Sequence, residues 1–313
     1  MNGQLTSNER IGQWIDERRR SGTGDPVCAY IYDLAGLRSH VSSMLDAMPG
    51  GARLYYAIKA NPDRRMLETL LPLVAGFEVA SAGELRLVRE VSADVPVLFG
   101  GPGKKDAELR EALRLGVKYV HVESLLELRK LLLFAEEAER GIDVLLRVNL
   151  RSDALPQTRI TMGGRPTPFG LDESFVEEAI ALLRDAGHRH VRFAGFHFHS
   201  LSNNLDAELH AAMVEYYVRR VAAWKAAYGL EIKAINAGGG FGVSYDSAAG
   251  FDWGAFLPVA VAEPDLAGDG RYGTAVRAGP PDRRRLRLLC GGDRRYQALA
   301  RPLVRRAAGR DAS

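Results

Sequence analysis

Short apolar segments alternate with longer amphipathic segments from about residue 50 to residue 260. The short segments are rich in β-branched and aromatic residues, as buried strands are, and the longer ones repeat apolar residues at helical spacing. Strands are predicted at LYYAIKA (54–60), FEVAS (77–81), VLFGG (97–101), YVHVES (119–124), DVLLRVN (143–149), FAGFHFHS (193–200) and AINAGG (234–239). Helices are predicted at 64–74, 82–90, 106–115, 125–139, 173–186 and 206–228.

This order of strands and helices predicts βα units and a parallel sheet. Seven such units indicate an α/β protein built on a (β/α)8 TIM barrel. The eighth strand should follow a helix near residues 253–262, but the sequence there turns to Gly, Asp and Arg, and no strand is readable. In barrels of this kind the functional residues lie at the carboxyl ends of the strands.

The composition is that of an ordinary globular protein, with 313 residues of which 46% are hydrophobic and 26% charged. No window approaches the roughly 18 unbroken apolar residues of a membrane span, and the polar N-terminus lacks the apolar centre of a signal peptide. We therefore predict a cytoplasmic protein without membrane contact. Cys28 and Cys290 are far apart and have no ligand spacing, so neither a disulfide framework nor a metal site is indicated.

The net charge of +3 combines two unlike regions. Residues 271–313 contain twelve Arg, no Lys and three Asp, a charge of +9, which leaves −6 for residues 1–270. Basic segments can bind nucleic acid, but this one has few aromatic residues among its arginines and no known motif. No nucleic-acid partner is predicted.

One lysine, Lys59, lies at the end of the first strand, directly before Asn-Pro-Asp. The apolar residues before it, Tyr55, Tyr56, Ala57 and Ile58, would line its side chain and partly exclude water. Such surroundings would favour the neutral amine that attacks a carbonyl to form a Schiff base. The alternative is a lysine that extends from the strand end into water, which is common for such residues.

Two histidines end the strand at 193–200. His197 and His199 alternate with Phe198, so the two imidazoles share one face of the strand and the phenylalanine takes the other. A flat imidazole facing the barrel can stack on a planar ligand, although either ring could instead be a hydrogen-bonded core histidine.

Three successive glycines, Gly238, Gly239 and Gly240, leave the seventh strand. Without Cβ atoms they leave backbone N–H groups open to an anion such as phosphate, and Ser202 could add a hydroxyl. A glycine run is also typical of a plain tight turn. Its place after the seventh strand favours the phosphate site, because such sites recur at this end of TIM barrels.

Charged residues end two further strands. Arg147 closes the fifth strand and can pair with an anion. Glu78 and Glu84 flank the second strand. Glu84 fits the first turn of the next helix, where a carboxylate is favoured, and Glu78 either faces the barrel mouth or is a solvated strand-end carboxylate.

The segment LYYAIKANPD (54–63) resembles the lysine motif of the fold-type III pyridoxal-phosphate decarboxylases, in which the pattern is Tyr-Ala-hydrophobic-Lys-Ala-Asn. This is the family of diaminopimelate, ornithine and arginine decarboxylases. GFEVASAGEL, VLFGGPGKK, LLRVNL, GFHFHS and NAGGGFG follow in the family's order, so the resemblance covers about residues 25–260. It implies an alanine-racemase-like barrel that binds pyridoxal 5'-phosphate and decarboxylates an amino acid.

The resemblance also implies roles for the residues singled out above. Lys59 would form the Schiff base with the cofactor and recover it after CO2 has left. His199 would stack on the cofactor ring, and Glu78 takes the place of an acidic residue that faces the lysine. Arg147 would pair with the cofactor's phenolate or phosphate, or with a substrate carboxylate. The three glycines and Ser202 would bind the phosphate.

Two motifs of the family are absent. The sequence has neither the Glu-Pro-Gly-Arg of the eighth strand nor the Cys-Glu-Ser segment that carries a catalytic cysteine. When residues 276–283 are back-translated with GC-rich codons and read one nucleotide later, they can give Phe-Glu-Pro-Gly-Arg-Leu-Ile-Ala, the missing motif at its expected place. We therefore predict that residues 266–313 are an aberrant, out-of-frame tail.

This reading predicts three regions. Residues 1–50 would hold a helix and a strand (CAYIYDLAGL, 28–37) that remain from the family's second β-domain, and residues 51–265 would form the cofactor-binding barrel. Because the family's sites form at a dimer interface with that β-domain, a homodimer is expected for the full-length protein and impaired activity for this chain.

Three alternatives stay open. In HFHSLSNNLDAELH, Leu201 replaces the usual glycine, and the segment is similar to siderophore-pathway decarboxylases that act on citryl-diamino acids. An amino-acid racemase shares the fold, but NPDRR lacks the tyrosine of the racemase motif. A non-enzymatic pyridoxal-phosphate barrel is the third, and the predicted strand at 28–37 argues against it.

Overall fold

The structure is a computed structural model that describes residues 7–21, 30–48, 52–151, 168–185, 187–243, 250–260 and 287–290. Its strands are β1 (Ala52–Ala57), β2 (Gly76–Val79), β3 (Val97–Phe99), β4 (Tyr119–Val122), β5 (Ile142–Asn149), β6 (Leu171–Asp172), β7 (Val191–His197), β8 (Ala234–Gly238) and β9 (Arg287–Cys290). Its helices are α1 (Ser7–Arg20), α2 (Leu34–Ala47), α3 (Arg64–Leu70), α4 (Ala82–Val91), α5 (Asp106–Leu115), α6 (Leu125–Ala138), α7 (Val176–Arg184), α8 (Ala207–Tyr228) and α9 (Trp253–Ala260).

Eight parallel strands close into a barrel. They follow the order β1, β2, β3, β4, β5, β7, β8, β9, and β9 pairs with β1 to complete the ring. The two-residue strand β6 pairs only with the end of β5. The predicted α/β class and (β/α)8 barrel are confirmed, and each of the seven predicted strands overlaps an observed one.

The eighth strand comes from a part of the chain for which the sequence predicted none. β9 lies within the Arg-rich segment and pairs Leu288 with Ala52 of β1 and Arg287 with Ala234 of β8. Its apolar run, Leu-Leu-Cys, is too short to give a periodic signal. Its place is set by the open edges of β1 and β8, whose backbone groups need partners. The predicted boundary at residue 265 and the out-of-frame tail stay predictions.

The region before the barrel differs from the expected strand. Tyr30–Asp33 form no strand and α2 begins at Leu34, so the strand predicted at 28–37 is wrong for its described residues. The physical reason is local: Asp33 caps the helix by accepting the Gly36 N–H. The apolar residues that follow also recur at helical spacing and are buried: Leu37, Val41 and Met44. Asp33 also pairs with Arg10 of the predicted N-terminal helix, α1.

Two apolar layers build the core. Residues that point outward from the strands pack against the helices, as Phe196 and Phe198 do against Trp224 of α8. Residues that point inward form a layer across the barrel interior: Tyr55, Leu98, Tyr119, Leu145, Ala194 and Ala234. Large side chains from β1 and β4 fill the space left by the alanines of β7 and β8. Among the described residues, none of the helices is long and apolar enough to cross a membrane.

An aromatic cluster joins α8 to α9 and surrounds one histidine, His210. Its imidazole stacks on Phe241 at 4.4 Å between ring centroids and meets Phe251 and Phe256 edge-on. The side chain is 3% exposed, and burial lowers its pKa to about 4. The folded chain therefore holds this imidazole neutral.

The depressed pKa of His210 predicts an acid-sensitive fold. Between pH 6.5 and pH 4 the unfolded chain binds a proton at His210 that the folded chain does not, so stability falls as the pH falls through this window. A pKa shift of this size corresponds to about 3 kcal/mol. Urea unfolding of the wild type and His210→Phe at pH 7.5, 5.5 and 4.5 measures it. The variant should lose less stability, and equal losses in both proteins would contradict the prediction.

Candidate functional site

Lys59 lies at the carboxyl end of β1, in a short 3-10 turn (Ile58–Ala60). The chain beyond it is held rigidly: Asn61 Oδ1 accepts the Asp63 N–H at 2.9 Å, and Asp63 caps α3. The Tyr56 hydroxyl also donates to the Asn61 carbonyl, at 3.2 Å. Lys59 itself is exposed. The predicted partial desolvation is therefore not seen, and the amine is accessible at the barrel mouth.

Glu78 lies on the neighbouring strand, at the level of Ala57. Its side chain is half-buried. Burial of the carboxylate raises its pKa, while the positive charges of Lys59 and Arg147 and a side-chain hydrogen bond with Asn236 oppose that rise. The charge of Lys59 acts on the Glu78 carboxylate, so the two side chains lie near each other at the ends of β1 and β2; the role that the resemblance implies for Glu78 stays a prediction.

Arg147 is paired within the chain. Its Nη1 lies 2.9 Å from both carboxylate oxygens of Glu123, which is nearly inaccessible to solvent. The same carboxylate accepts the Gly101 N–H at 2.8 Å and the Gly170 N–H at 3.2 Å. Phe169 covers the guanidinium, 5.3 Å from its ring centroid. Glu123 therefore fixes Arg147 and two mouth loops at once, and any further anion that binds Arg147 would join an existing pair.

The two histidines at the carboxyl end of β7, His197 in the strand and His199 just beyond it, alternate with Phe198 as predicted. Phe198 points outward and stacks on Tyr217 of α8, 4.6 Å between ring centroids. His197 points inward and is buried, and its ring lies 4.1 Å from that of His121. His199 is half-buried nearer the mouth. Burial is the main cause that holds the pKa of both His197 and His121 well below the ordinary value.

The glycine run forms a turn that other residues could not adopt. Gly238 and Gly240 have φ of +74° and +93°. A Cβ on Gly238 would lie 2.3 Å from the Phe198 carbonyl oxygen, and one on Gly240 would lie 2.1 Å from that of Leu201. Ser202 is half-buried directly beside Gly240. The predicted glycines and serine therefore meet in one place.

Two of the turn's N–H groups are already bonded to side chains. Gly238 donates to Asn236 Oδ1 at 2.8 Å, and Gly239 donates to His199 Nδ1 at 3.2 Å. Because His199 Nδ1 accepts, the proton of a neutral His199 ring is on Nε2. The turn and the imidazole that the sequence singled out are thus directly connected.

Four further residues of this mouth were not identified from the sequence: His121, Glu123, Asn236 and Lys104. The first two follow Tyr119 at two-residue spacing, His121 on β4 and Glu123 directly after it, so strand alternation could have placed them inside the barrel. The Lys104 ammonium donates to the Gly101 and His121 carbonyls at 2.8 and 2.7 Å and to the Glu127 carboxylate at 2.8 Å. It anchors the loop between β3 and α5 to β4.

The turn geometry predicts the effect of a single methyl group. Gly238→Ala should lower the affinity for pyridoxal 5'-phosphate at least about tenfold, because the positive φ and the contact with Phe198 force the turn to move. Gly103→Ala is the control, since a Cβ there meets nothing within 4 Å. Titration of the visible absorbance of the bound cofactor measures both. Equal affinity of Gly238→Ala and wild type would contradict the prediction.

These features suit pyridoxal 5'-phosphate. An exposed lysine, a half-buried imidazole and a turn without room for a Cβ at Gly238 and Gly240 lie at the carboxyl ends of β1, β7 and β8. Lys59 would attach the cofactor, His199 would contact its ring, and the glycine turn with Ser202 would take its phosphate. The observation that carries this fit is the turn, whose backbone passes so close to the Phe198 and Leu201 carbonyls that Gly238 and Gly240 have no room for a Cβ.

Comparison with known proteins also indicates a pyridoxal-phosphate protein. Residues 34–252 match the family model described as pyridoxal-dependent decarboxylase, pyridoxal binding domain. A decarboxylase of 2-((L-alanin-3-ylcarbamoyl)methyl)-2-hydroxybutanedioate from Staphylococcus aureus is 42% identical over 249 residues, 79% of this chain and 61% of the relative. An L-glutamyl-acyl-carrier-protein decarboxylase from Niallia circulans is 32% identical over 70% of this chain and 50% of its own length.

A solved structure shares the fold. Diaminopimelate decarboxylase from Helicobacter pylori superimposes with a TM-score of 0.72 at 22% identity, over 93% of this chain and 66% of that one. The chain spans about half to two thirds of the length of these three proteins.

Proposed function

Because the chain belongs to the pyridoxal-dependent decarboxylases, we propose that its barrel binds pyridoxal 5'-phosphate for the removal of a carboxylate from an amino acid. One observation carries the proposal: Lys59, Glu78 and His199 lie at one barrel mouth beside a turn that only glycine can form. When bound, the cofactor supplies a conjugated ring that accepts the electrons left behind as CO2 departs.

The position of each site residue suggests its part in holding the cofactor. Lys59 reaches the mouth with an accessible amine and would attach the cofactor covalently. His199 would hold one face of the cofactor ring, with its Nδ1 fixed by the Gly239 N–H. Gly240 and Ser202 would bind the phosphate next to it. Glu78, close to Lys59, would hold a charge or a proton beside the amine.

For the substrate, we propose an amino acid whose side-chain amine is acylated by a hydroxy-carboxylic acid. The relative from Staphylococcus aureus is named for a substrate of this class, and its 42% identity supports the placement suggested by HFHSLSNNLDAELH (197–210). Diaminopimelate is the second candidate, because the relatives include diaminopimelate decarboxylases at 27–32% identity. Arg147 would be available to a substrate carboxylate only as a partner shared with Glu123.

We also propose a homodimer and an out-of-frame tail at 266–313, which the Arg-rich, Lys-free composition supports. β9 lies inside that tail and fills the barrel gap, which weighs against the proposal. Sequencing of the gene is decisive. A verified reading frame without an insertion or deletion between about residues 255 and 276 would refute the out-of-frame tail. Analytical ultracentrifugation of the frame-restored protein would test the dimer.

The proposed activity is tested by CO2 release. The frame-restored chain, loaded with pyridoxal 5'-phosphate, is incubated with carboxyl-labelled diaminopimelate, ornithine and the acylated diamino acid. We expect labelled CO2 with one substrate and far less from the chain as given. A frame-restored protein that binds the cofactor but releases no CO2 from any of the three would contradict a decarboxylase.

A further inference from the structure

The side chain of Asn236 occupies a central position below the site. It lies on β8, level with His197 of β7, and is 1% exposed. Its Oδ1 accepts the Gly238 N–H at 2.8 Å, and its Nδ2 lies 3.2 Å from His121 Nε2. The amide also lies near the Glu78 carboxyl, and their interaction opposes the rise that burial causes in the pKa of Glu78. The amide thus contacts the glycine turn and His121, and it lies near the carboxylate beside Lys59.

These contacts leave the amide one orientation. The Gly238 N–H can only donate, so the atom that it meets must be the amide oxygen. The amide nitrogen therefore faces His121 and can only donate to it, which makes His121 Nε2 the acceptor. A neutral His121 ring then carries its proton on Nδ1. Both Asn236 and His121 are held in defined states by the fold.

The contacts of Asn236 lie at two ends of the candidate site. The glycine turn belongs to the end that would take the phosphate, whereas Glu78 belongs to the end where Lys59 would attach the cofactor. We propose that Asn236 is a positioning residue that holds these two ends in a fixed relation. This role rests on the proposed function, because it concerns the same cofactor site.

The turn links Asn236 to His199 through two successive backbone N–H groups. Gly238 bonds to Asn236, and the next N–H, that of Gly239, bonds to His199 Nδ1. A Cβ on Gly238 would lie 2.9 Å from the same Nδ1, so turn and imidazole are in close contact. Loss of the Asn236 amide should therefore release the turn and, with it, the His199 ring.

The first experiment needs no cofactor. Long-range 1H–15N spectra of the cofactor-free chain should show His121 with its proton on Nδ1 and His199 with its proton on Nε2. In Asn236→Ala both imidazoles should shift toward mixed tautomers, and the Gly238 amide should exchange with solvent at least about tenfold faster. Val88→Ala, a core change on α4, provides a control of lowered stability in which the His199 signals stay unchanged.

A second variant separates the two ends. Asn236→Asp keeps an oxygen for the Gly238 N–H but lacks the amide donor that faces His121, on the side of Glu78. The affinities for pyridoxal 5'-phosphate and for pyridoxal, which has no phosphate, give the readout. We expect Asn236→Ala to lose roughly tenfold in the preference for the phosphorylated form. Asn236→Asp should keep that preference while it binds both forms more weakly.

The outcomes are distinct. A wild type that binds no pyridoxal 5'-phosphate defeats the proposed function, and the imidazole spectra then still decide whether Asn236 sets the turn. Unchanged His199 signals in Asn236→Ala overturn the positioning role whatever the wild type binds. An equal loss for both ligands in both variants, matched by Val88→Ala, also overturns it, because it indicates general destabilisation.

Discussion

If the proposed function holds, replacement of Lys59 by alanine is expected to abolish covalent retention of pyridoxal 5'-phosphate and, in the frame-restored protein, to lower decarboxylation by at least about a thousandfold. The lysine is exposed at the end of β1, and the electrostatic field of Glu78 acts on it. No other nucleophilic amine of the described residues has this combination: Lys104 is buried and uses its donors within the fold.

Mass spectrometry of the labelled peptide tests this prediction and does not depend on turnover. Borohydride reduction of the loaded chain should fix the cofactor to the peptide that contains Lys59, and the visible absorbance should be absent from Lys59→Ala. Lys105→Ala is the matched control, because Lys105 is an exposed lysine between β3 and α5. Lys59→Arg keeps the charge without the nucleophile and should behave like alanine. Cofactor fixed to another lysine would contradict the assignment.

Replacement of Glu123 by alanine should lower the free energy of unfolding by about 3–5 kcal/mol. The carboxylate is nearly inaccessible to solvent and accepts hydrogen bonds from Arg147, Gly101 and Gly170. Its removal leaves the guanidinium of Arg147, 11% exposed, without this partner. Two loop N–H groups lose their acceptor in the same change, which adds a desolvation cost.

Guanidinium chloride unfolding tests this prediction. Glu137→Ala removes half of an exposed pair with Arg110 and should cost less than about 1 kcal/mol. Arg147→Met in the Glu123→Ala background should recover part of the loss, because it removes the buried charge that has lost its partner. Equal stability of Glu123→Ala and Glu137→Ala would refute the prediction.

The sequence predicted those site features that depend on local pattern. Lys59 at a strand end, the alternation of His197 and His199, and the glycine run are each contained within a few residues. The barrel class followed from the repeated change between strand and helix spacing. The structure keeps all of these, and it adds that His199 and the glycine turn are joined by a hydrogen bond.

Features that depend on contacts across the barrel could not be predicted. Arg147 meets Glu123 over 24 positions, and Asn236 meets His121 over 115. The accessibility of Lys59 was predicted wrongly, because the apolar residues before it belong to the barrel core and do not enclose its amine. β9 was missed for a related reason: the edges of β1 and β8 specify it more than its own composition does.

The inward apolar layer affects how small molecules can reach the candidate site. Tyr55, Tyr119 and Leu145 are at most 6% exposed, and together with the alanines of β7 and β8 they block the barrel interior below the polar site. Among the described residues, this layer closes the barrel axis below the site. Under the proposed function, substrate would then enter and CO2 would leave through the same barrel mouth, so a segment that covered the mouth would control both.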